Sequence, residues 1–166
     1  MIISNKGKNY LINLFIVSSI FLLDRVSKIY VIYLNDKLLV LEIFSSKFLN
    51  INLIWNQGIA FGLFSFDELK LYNILTILIL IIIVLVMFMI TKCEGLKKYS
   101  LLMILGGALG NVFDRIMYKA VPDFIDFHIG NFHWFIFNIA DIFITIGVFF
   151  MIISEFIDNK KNHELF

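Results

Sequence analysis

From Leu71 to Ile90 the chain runs for about 20 residues without a charge, enough at about 1.5 Å per residue to span the roughly 30 Å hydrocarbon core of a bilayer. In lipid every backbone N–H and C=O must be satisfied within the structure, so this segment is predicted to be a transmembrane helix. Composition extends the argument to the whole chain. Hydrophobic residues make up 60% of its 166 positions and charged residues 16%, with 19 Phe against one Pro. A chain of this size cannot bury that much apolar surface and still show water a polar shell, so it reads as a membrane protein. The net charge of +1 is uninformative, and the Lys and Arg residues are scattered rather than gathered into a basic patch, which argues against a nucleic-acid partner. A single cysteine, Cys93, excludes an intramolecular disulfide framework and a multi-cysteine metal site.

Three further spans follow the same pattern. Tyr10 to Leu23 is apolar, passes through the polar cluster Asp24-Arg25-Val26-Ser27-Lys28, and resumes with Ile29 to Leu34. Lys6 and Lys8 before it resemble the start of a secretory signal, but no small-x-small cleavage site follows, so a retained helix is expected. A third span begins at Tyr99 and contains Gly106, Gly107 and Gly110, which permit close helix approach, before Asn111, Asp114 and Arg115 interrupt it. The fourth runs from about Trp134, with Asn138 and Asp141 in its first turns. The expected fold is a membrane all-α protein with four transmembrane helices at about residues 10–33, 70–91, 99–117 and 134–155, in one domain covering residues 1–166. Between the first two helices, Leu38 to Phe44 and Phe48 to Trp55 read as strands joined by Ser45-Ser46-Lys47, a small extracytoplasmic β-hairpin within residues 36–66. Asn56-Gln57-Gly58-Ile59-Ala60-Phe61-Gly62 leads back toward the membrane, its glycines allowing conformations closed to other residues.

Four spans put both termini on one side. Lys6, Lys8, Lys92, Lys97, Lys98, Lys160 and Lys161 would lie there, balanced by Arg25, Lys28, Lys37, Lys47, Lys70, Arg115 and Lys119 on the other. With Arg25, Lys28 and Arg115 set aside as members of polar clusters inside helices, the balance favours cytoplasmic termini.

Asp24, Asp114, Asp123 and Asp141 all fall at the same end of their helices or on the adjoining loop. An ionisable group near lipid is costly unless paired, hydrated or protonated, which makes each of these a functional-site candidate. A proton or ion pathway would place such groups near the midplane, whereas the outer interface offers water as a reactant. Two neighbouring carboxylates in a low-dielectric site share a proton, the arrangement of an aspartic protease in which one activates water and the other holds the scissile carbonyl. The residues alone leave alternatives open: Asp123 as a solvated loop residue with Asp141 paired to Arg115 or Lys28, a small proton- or ion-coupled transporter, or a non-enzymatic assembly factor.

Other hydrolytic designs are weaker. Ser27 and Lys28 are neighbours on a helix and point about 100° apart. His128 and His133, with Asp126 nearby, lack an H-E-x-x-H pattern, and a spacing of five does not place both rings on one helical face, so they read as surface or interface histidines and no metal or cofactor is expected. Asn56, Asn111 and Asn138 could orient the carboxylates or cap helices. Asp114-Arg115 could position the site or anchor the third helix, while Asp24 and Lys28 can pair on one helix face. The Phe-rich stretch of residues 132–150 reads as lipid-facing, and Trp55, Tyr118 and Trp134 as interface anchors.

Taken in order, five motifs resemble the signal peptidase II family of membrane aspartic proteases: Asp24 to Lys28, Asn56 to Phe61, Gly106 to Arg115, Val121-Pro122-Asp123-Phe124, and Phe137-Asn138-Ile139-Ala140-Asp141. The resemblance implies a four-helix enzyme of the bacterial cytoplasmic membrane with a periplasmic β-cradle. It implies cleavage of prolipoproteins just before a diacylglyceryl-modified cysteine and sensitivity to the cyclic peptide globomycin; contact with membrane lipid and action as a monomer are expected. It further implies that Asp123 and Asp141 form the catalytic dyad, with Asp24, Lys28, Asn56, Gly58, Asn111, Asp114, Arg115, Asn138 and Ala140 on supporting positions. Pro122 departs from the ordinary apolar residue expected there. Because proline steers Val121 away from helix, it should hold Asp123 on extended backbone.

Overall fold

The structure is a computed structural model, described here over residues 5–40, 42–58 and 69–163. Four helices, α1 (Asn5–Leu38), α2 (Leu69–Lys92), α3 (Gly95–Tyr118) and α4 (Ile139–His163), carry a small antiparallel sheet. Its strands are β1 (Phe44–Ser45), β2 (Leu49–Asn56), β3 (Val121–Ile129) and β4 (Phe132–Phe137), in that spatial order. Among the described residues, α2, α3 and α4 are long and apolar enough to cross a bilayer. Only 11% of the apolar window of α2 is buried against protein, as expected of a helix solvated by lipid. Although α1 has 34 residues, Asp24, Arg25 and Lys28 break its apolar run.

The sheet corrects the expected architecture. The predicted first strand from Leu38 to Phe44 contracts to Phe44–Ser45, because α1 continues to Leu38 and ends with Leu39 at φ +56°. The predicted hairpin survives as the pairing of Phe44 with Ile51 and of Ser45 with Asn50. Its larger partner was not expected. β2 pairs along its length with β3, and β3 with β4, so the segment between the third and fourth helices is strand where the sequence reading put loop and the start of a helix. Gly130, at φ +59°, opens the two-residue turn between β3 and β4 as a II′-type hairpin requires. The fourth helix therefore begins at Ile139 and not near Trp134, and Phe132 to Phe137 line a strand. Pro122 lies opposite Trp55 in a stretch of β3 paired only with β2, where its missing N–H costs no ladder bond on the open side. The lead-out from the hairpin is described only as far as Gly58, and the expectation for residues 59–62 lies outside the described residues.

α3 is the central helix and packs against α1, α2 and α4. Its glycines make this possible. A Cβ at Gly107 would come within 2.5 Å of the Ala140 carbonyl oxygen on α4, and one at Gly110 within 2.5 Å of Asp24 Oδ2 on α1. Gly110→Ala is expected to displace the Asp24 carboxylate and cost about 1–3 kcal/mol by overpacking, read as a lower Tm in detergent. An unchanged Tm would mean that α1 moves aside freely.

Candidate active site

Asp141 owes its position to the start of α4. Asn138 precedes the helix, its Oδ1 accepting the Asp141 N–H at 3.1 Å, while Asp141 Oδ2 accepts the Asn138 N–H at 3.2 Å. This is a reciprocal capping box, satisfying two donors that the helix leaves unpaired. The Ala140 N–H is taken by Asp24 Oδ1 at 3.0 Å, so α1 also caps α4, and Ala140 is fully buried at this junction. Asp123 comes from β3, held on extended backbone opposite Ile54 and 3% exposed.

Three asparagines link the two carboxylates. Asn138 Nδ2 donates to Asp123 Oδ1 at 2.6 Å and Asn56 Nδ2 to Asp123 Oδ2 at 2.8 Å. Asn111 Nδ2 donates to Asp141 Oδ1 at 2.8 Å, and the Asn111 carbonyl accepts from Asn138 Nδ2 at 3.2 Å. Each carboxylate oxygen thus receives one fixed donor and keeps a lone pair for a proton or water. Burial, followed by the charge of Asp141, pushes the Asp123 carboxyl up to about 7, against the lowering effect of the Asn56 and Asn138 hydrogen bonds. Both aspartates line one cavity of about 420 Å³, walled by Leu75, Leu78, Ile79 and Ile82 of α2 and by Ile144 and Thr145 of α4. Asp123 also reaches a second groove of about 300 Å³ beneath the sheet, lined by Ile54 to Gly58 and His133 to Ile136.

Below the dyad lies a buried ion network. Lys28 Nζ, fully buried, donates to Asp24 Oδ2 at 2.9 Å, Asp114 Oδ2 at 2.7 Å and Asn111 Oδ1 at 2.9 Å. Arg25 completes the set, 2.5 Å from Asp114 and 3.3 Å from Asp24, with its guanidinium over the Phe113 ring. Two carboxylates and two cations cancel here, which is how buried charges are tolerated. The expected pairing of Asp24 with Lys28 is present, whereas Asp114 and Arg115 do not pair. Asp114 turns to α1, and Arg115 points the other way to donate to the Gly58 carbonyl at 2.6 Å, as the 100° step between helix neighbours dictates. Gly58 in turn donates its N–H to Asn56 Oδ1 at 2.8 Å, so Arg115 acts on the dyad through the backbone after β2.

The structure therefore sets Asp123, Asp141, Asn56 and Asn111 around one cavity, with Asn138 fully buried between the two carboxylates. Asp24, Lys28, Asp114 and Ala140 lie behind them, with Gly58 and Arg115 beside Asn56. Asp123 is not a solvated loop residue, and no ion pair joins Asp141 to Arg115 or Lys28 among the described residues. Ser27 Oγ donates to the Asp24 carbonyl at 2.8 Å, and Lys28 is engaged elsewhere, so no serine-lysine dyad forms. Sequence reasoning passed over Arg25 as an ion-network member and Tyr72, whose OH donates to the Arg115 carbonyl at 3.4 Å. An arginine next to Asp24 was the available signal for the first; a tyrosine in an apolar run gave none for the second. Trp55 and Tyr118, expected as separate anchors, meet edge to face at 5.4 Å.

The chain matches the family described as Signal peptidase (SPase) II over residues 16–157. It is 51% identical over 158 residues to a lipoprotein signal peptidase of Pelagibacter ubique (strain HTCC1062), covering 95% of each chain. It is 36% identical over 156 residues to a lipoprotein signal peptidase of Anaplasma marginale (strain Florida), covering 93% of this chain and 89% of that one. A solved bacterial membrane enzyme, determined by the in meso method, superposes with a TM-score of 0.71 at 32% identity over 90% of both chains.

Proposed function

Since this chain belongs to the signal peptidase II family, its activity is removal of signal peptides from prolipoproteins, and we propose that it works as an aspartic endopeptidase in which Asp123 and Asp141 share one proton. The observation that carries this is two carboxylates lining one cavity, each oxygen fixed by a donor, with Asp123 held at about 7. The charged member takes a proton from water as the oxygen attacks the scissile carbonyl, and the protonated member hydrogen-bonds that carbonyl and then supplies a proton to the departing amine. The resting proton belongs to the pair. Asn56, Asn111 and Asn138 keep the carboxylates in register, so little reorganisation is needed as charge moves. Transport and assembly readings have no such support from the relatives.

The cleavage point is the bond before the diacylglyceryl-modified cysteine. An apolar cavity walled by α2 suits a lipid-bearing residue entering sideways from the bilayer, while the groove beneath the sheet suits the peptide backbone. In this reading α1 is the fourth span, its charges turned inward to Asp114 and away from lipid. The site then lies at the extracytoplasmic face of the cytoplasmic membrane, with the termini on the opposite side and the sheet covering the dyad from outside as a gate. In the same reading the protein acts as a monomer, with residues 1–166 forming one catalytic unit.

The pH dependence follows from Asp123. Its carboxyl is raised from the ordinary range to about 7, so the pair holds its proton below that pH and loses it above. With both members charged there is no acid to hold the carbonyl, and kcat/KM is expected to fall on the alkaline side with a midpoint near 7. A rate that climbs steadily through pH 9 would contradict a shared proton.

A further inference from the structure

The two histidines that helical spacing kept apart meet on the sheet. β4 is irregular opposite Phe127 and His128: Phe127 pairs with Phe135 but His128 pairs with His133, so the register skips Trp134. Such a bulge re-aims side chains, and here it stacks the His128 and His133 rings with centroids 5.2 Å apart and planes at 25°. Asp126, two residues before His128 on β3, is 2% exposed, and its carboxylate meets His133 Nδ1 at 2.8 and 3.0 Å. One ligand atom from each of Asp126, His128 and His133 lies within 4.8 Å of the others. His128 Nδ1 is buried and has no hydrogen-bond partner among the described residues.

We propose that Asp126, His128 and His133 bind a divalent transition-metal ion of the zinc class across the β3–β4 hairpin. Imidazole and carboxylate are the donors such an ion takes, with bonds of about 2.0–2.2 Å, which place tetrahedral ligand atoms about 3.4 Å apart. The present spacing reaches this by side-chain rotation on strands whose backbone already sets the pairing. His133, with its side chain 51% exposed, provides the entry from water, and buried Asp126 anchors the ion. The bound ion would cross-link β3 to β4 beside Trp134, which with His133 and Asp123 lines the groove beneath the sheet. Its role is to stiffen that wall, and no step of hydrolysis passes through it.

Full-length protein in detergent, carrying no polyhistidine tag, is titrated with Co²⁺ and read by its visible d–d absorption, then challenged with Zn²⁺. Saturable one-to-one binding displaced by Zn²⁺ is expected, weakened at least about tenfold in His133→Gln, His128→Gln and Asp126→Asn and unchanged in His163→Gln. Zn²⁺ should raise the Tm of the wild type and of His163→Gln but not of His133→Gln, and a chelator should reverse the rise while leaving prolipoprotein cleavage in place. Absence of saturable binding, binding unaltered by the hairpin substitutions, or binding lost with His163→Gln would each overturn the proposal.

Discussion

Lys28→Met is expected to cost about 3–5 kcal/mol of stability, the range found when one partner of a buried ion pair is removed. Lys28 is fully buried against two carboxylates, Asp24 and Asp114, which are themselves fully buried. With methionine in its place the cluster keeps two acids against Arg25 alone, and one of them is left with an uncompensated charge in a low-dielectric setting. The damage spreads upward. Asn111 keeps only the 3.2 Å donor from Asn138 on its carbonyl, which loosens the amide it presents to Asp141, and Asp24 Oδ2 keeps only the 3.3 Å contact to Arg25, which weakens the hold of its other oxygen on the Ala140 N–H. Adding Asp114→Asn to Lys28→Met restores charge balance and should recover stability, because residues in one network couple by about 0.5–3 kcal/mol. Thermal melts in detergent of the two single variants and the double variant measure this. A Lys28→Met protein that melts with the wild type would mean that the network is not what joins α1 to α3 and α4.

Much of the helical frame was legible because lipid leaves the backbone few choices. The uncharged run that forms α2 admits only a helix there, and its observed limits, Leu69–Lys92, lie within two residues of those expected. The site was legible for a related reason. Asp24, Lys28 and Asp114 stand out only because their surroundings are apolar, and a charge in such a setting must find a partner. Beyond the hairpin of β1 and β2 the sheet was not legible, and the reasons are physical. Phe132 to Phe137 is an apolar run broken only by His133, which periodicity cannot assign to strand or to the start of α4. Gly130-Asn131 between two runs rich in β-branched and aromatic residues was the local hairpin signal. The pairing of β2 with β3 has no local signal, since two helices separate the strands in the chain. The meeting of the two histidines lacks a helical signal for the same reason. A spacing of five separates the rings on a helix, whereas a bulged hairpin brings them face to face. The pairing of Asp114 with Arg115 failed because adjacency in sequence is not adjacency in space.

Asp123→Asn and Asp141→Asn are each expected to lower cleavage by about 10²–10⁴-fold, the scale on which general acid–base groups contribute. Asparagine preserves the shape of each side chain, but its NH₂ cannot accept the donors that face both carboxylates, and it can neither take a proton from water nor carry the shared one. In Asp123→Asn the Asn56 and Asn138 donors must reorient, yet the change also removes a charge from a site 3% exposed, so the fold should survive. The same reasoning separates the dyad from its supports. Asn56→Ala removes a donor to Asp123 and the acceptor of the Gly58 N–H, and Asn111→Ala a donor to Asp141 and the acceptor of Lys28 and Asn138, but both acids stay in place, so cleavage should fall less than in the dyad variants.

One assay tests the dyad most directly: a diacylglyceryl-modified prolipoprotein is incubated in detergent with folded wild type, Asp123→Asn or Asp141→Asn, and the released signal peptide is measured by mass spectrometry. The shared-proton dyad predicts release just before the modified cysteine by the wild type and essentially none by either variant, all three melting alike. Release at the wild-type rate by both folded variants would contradict it.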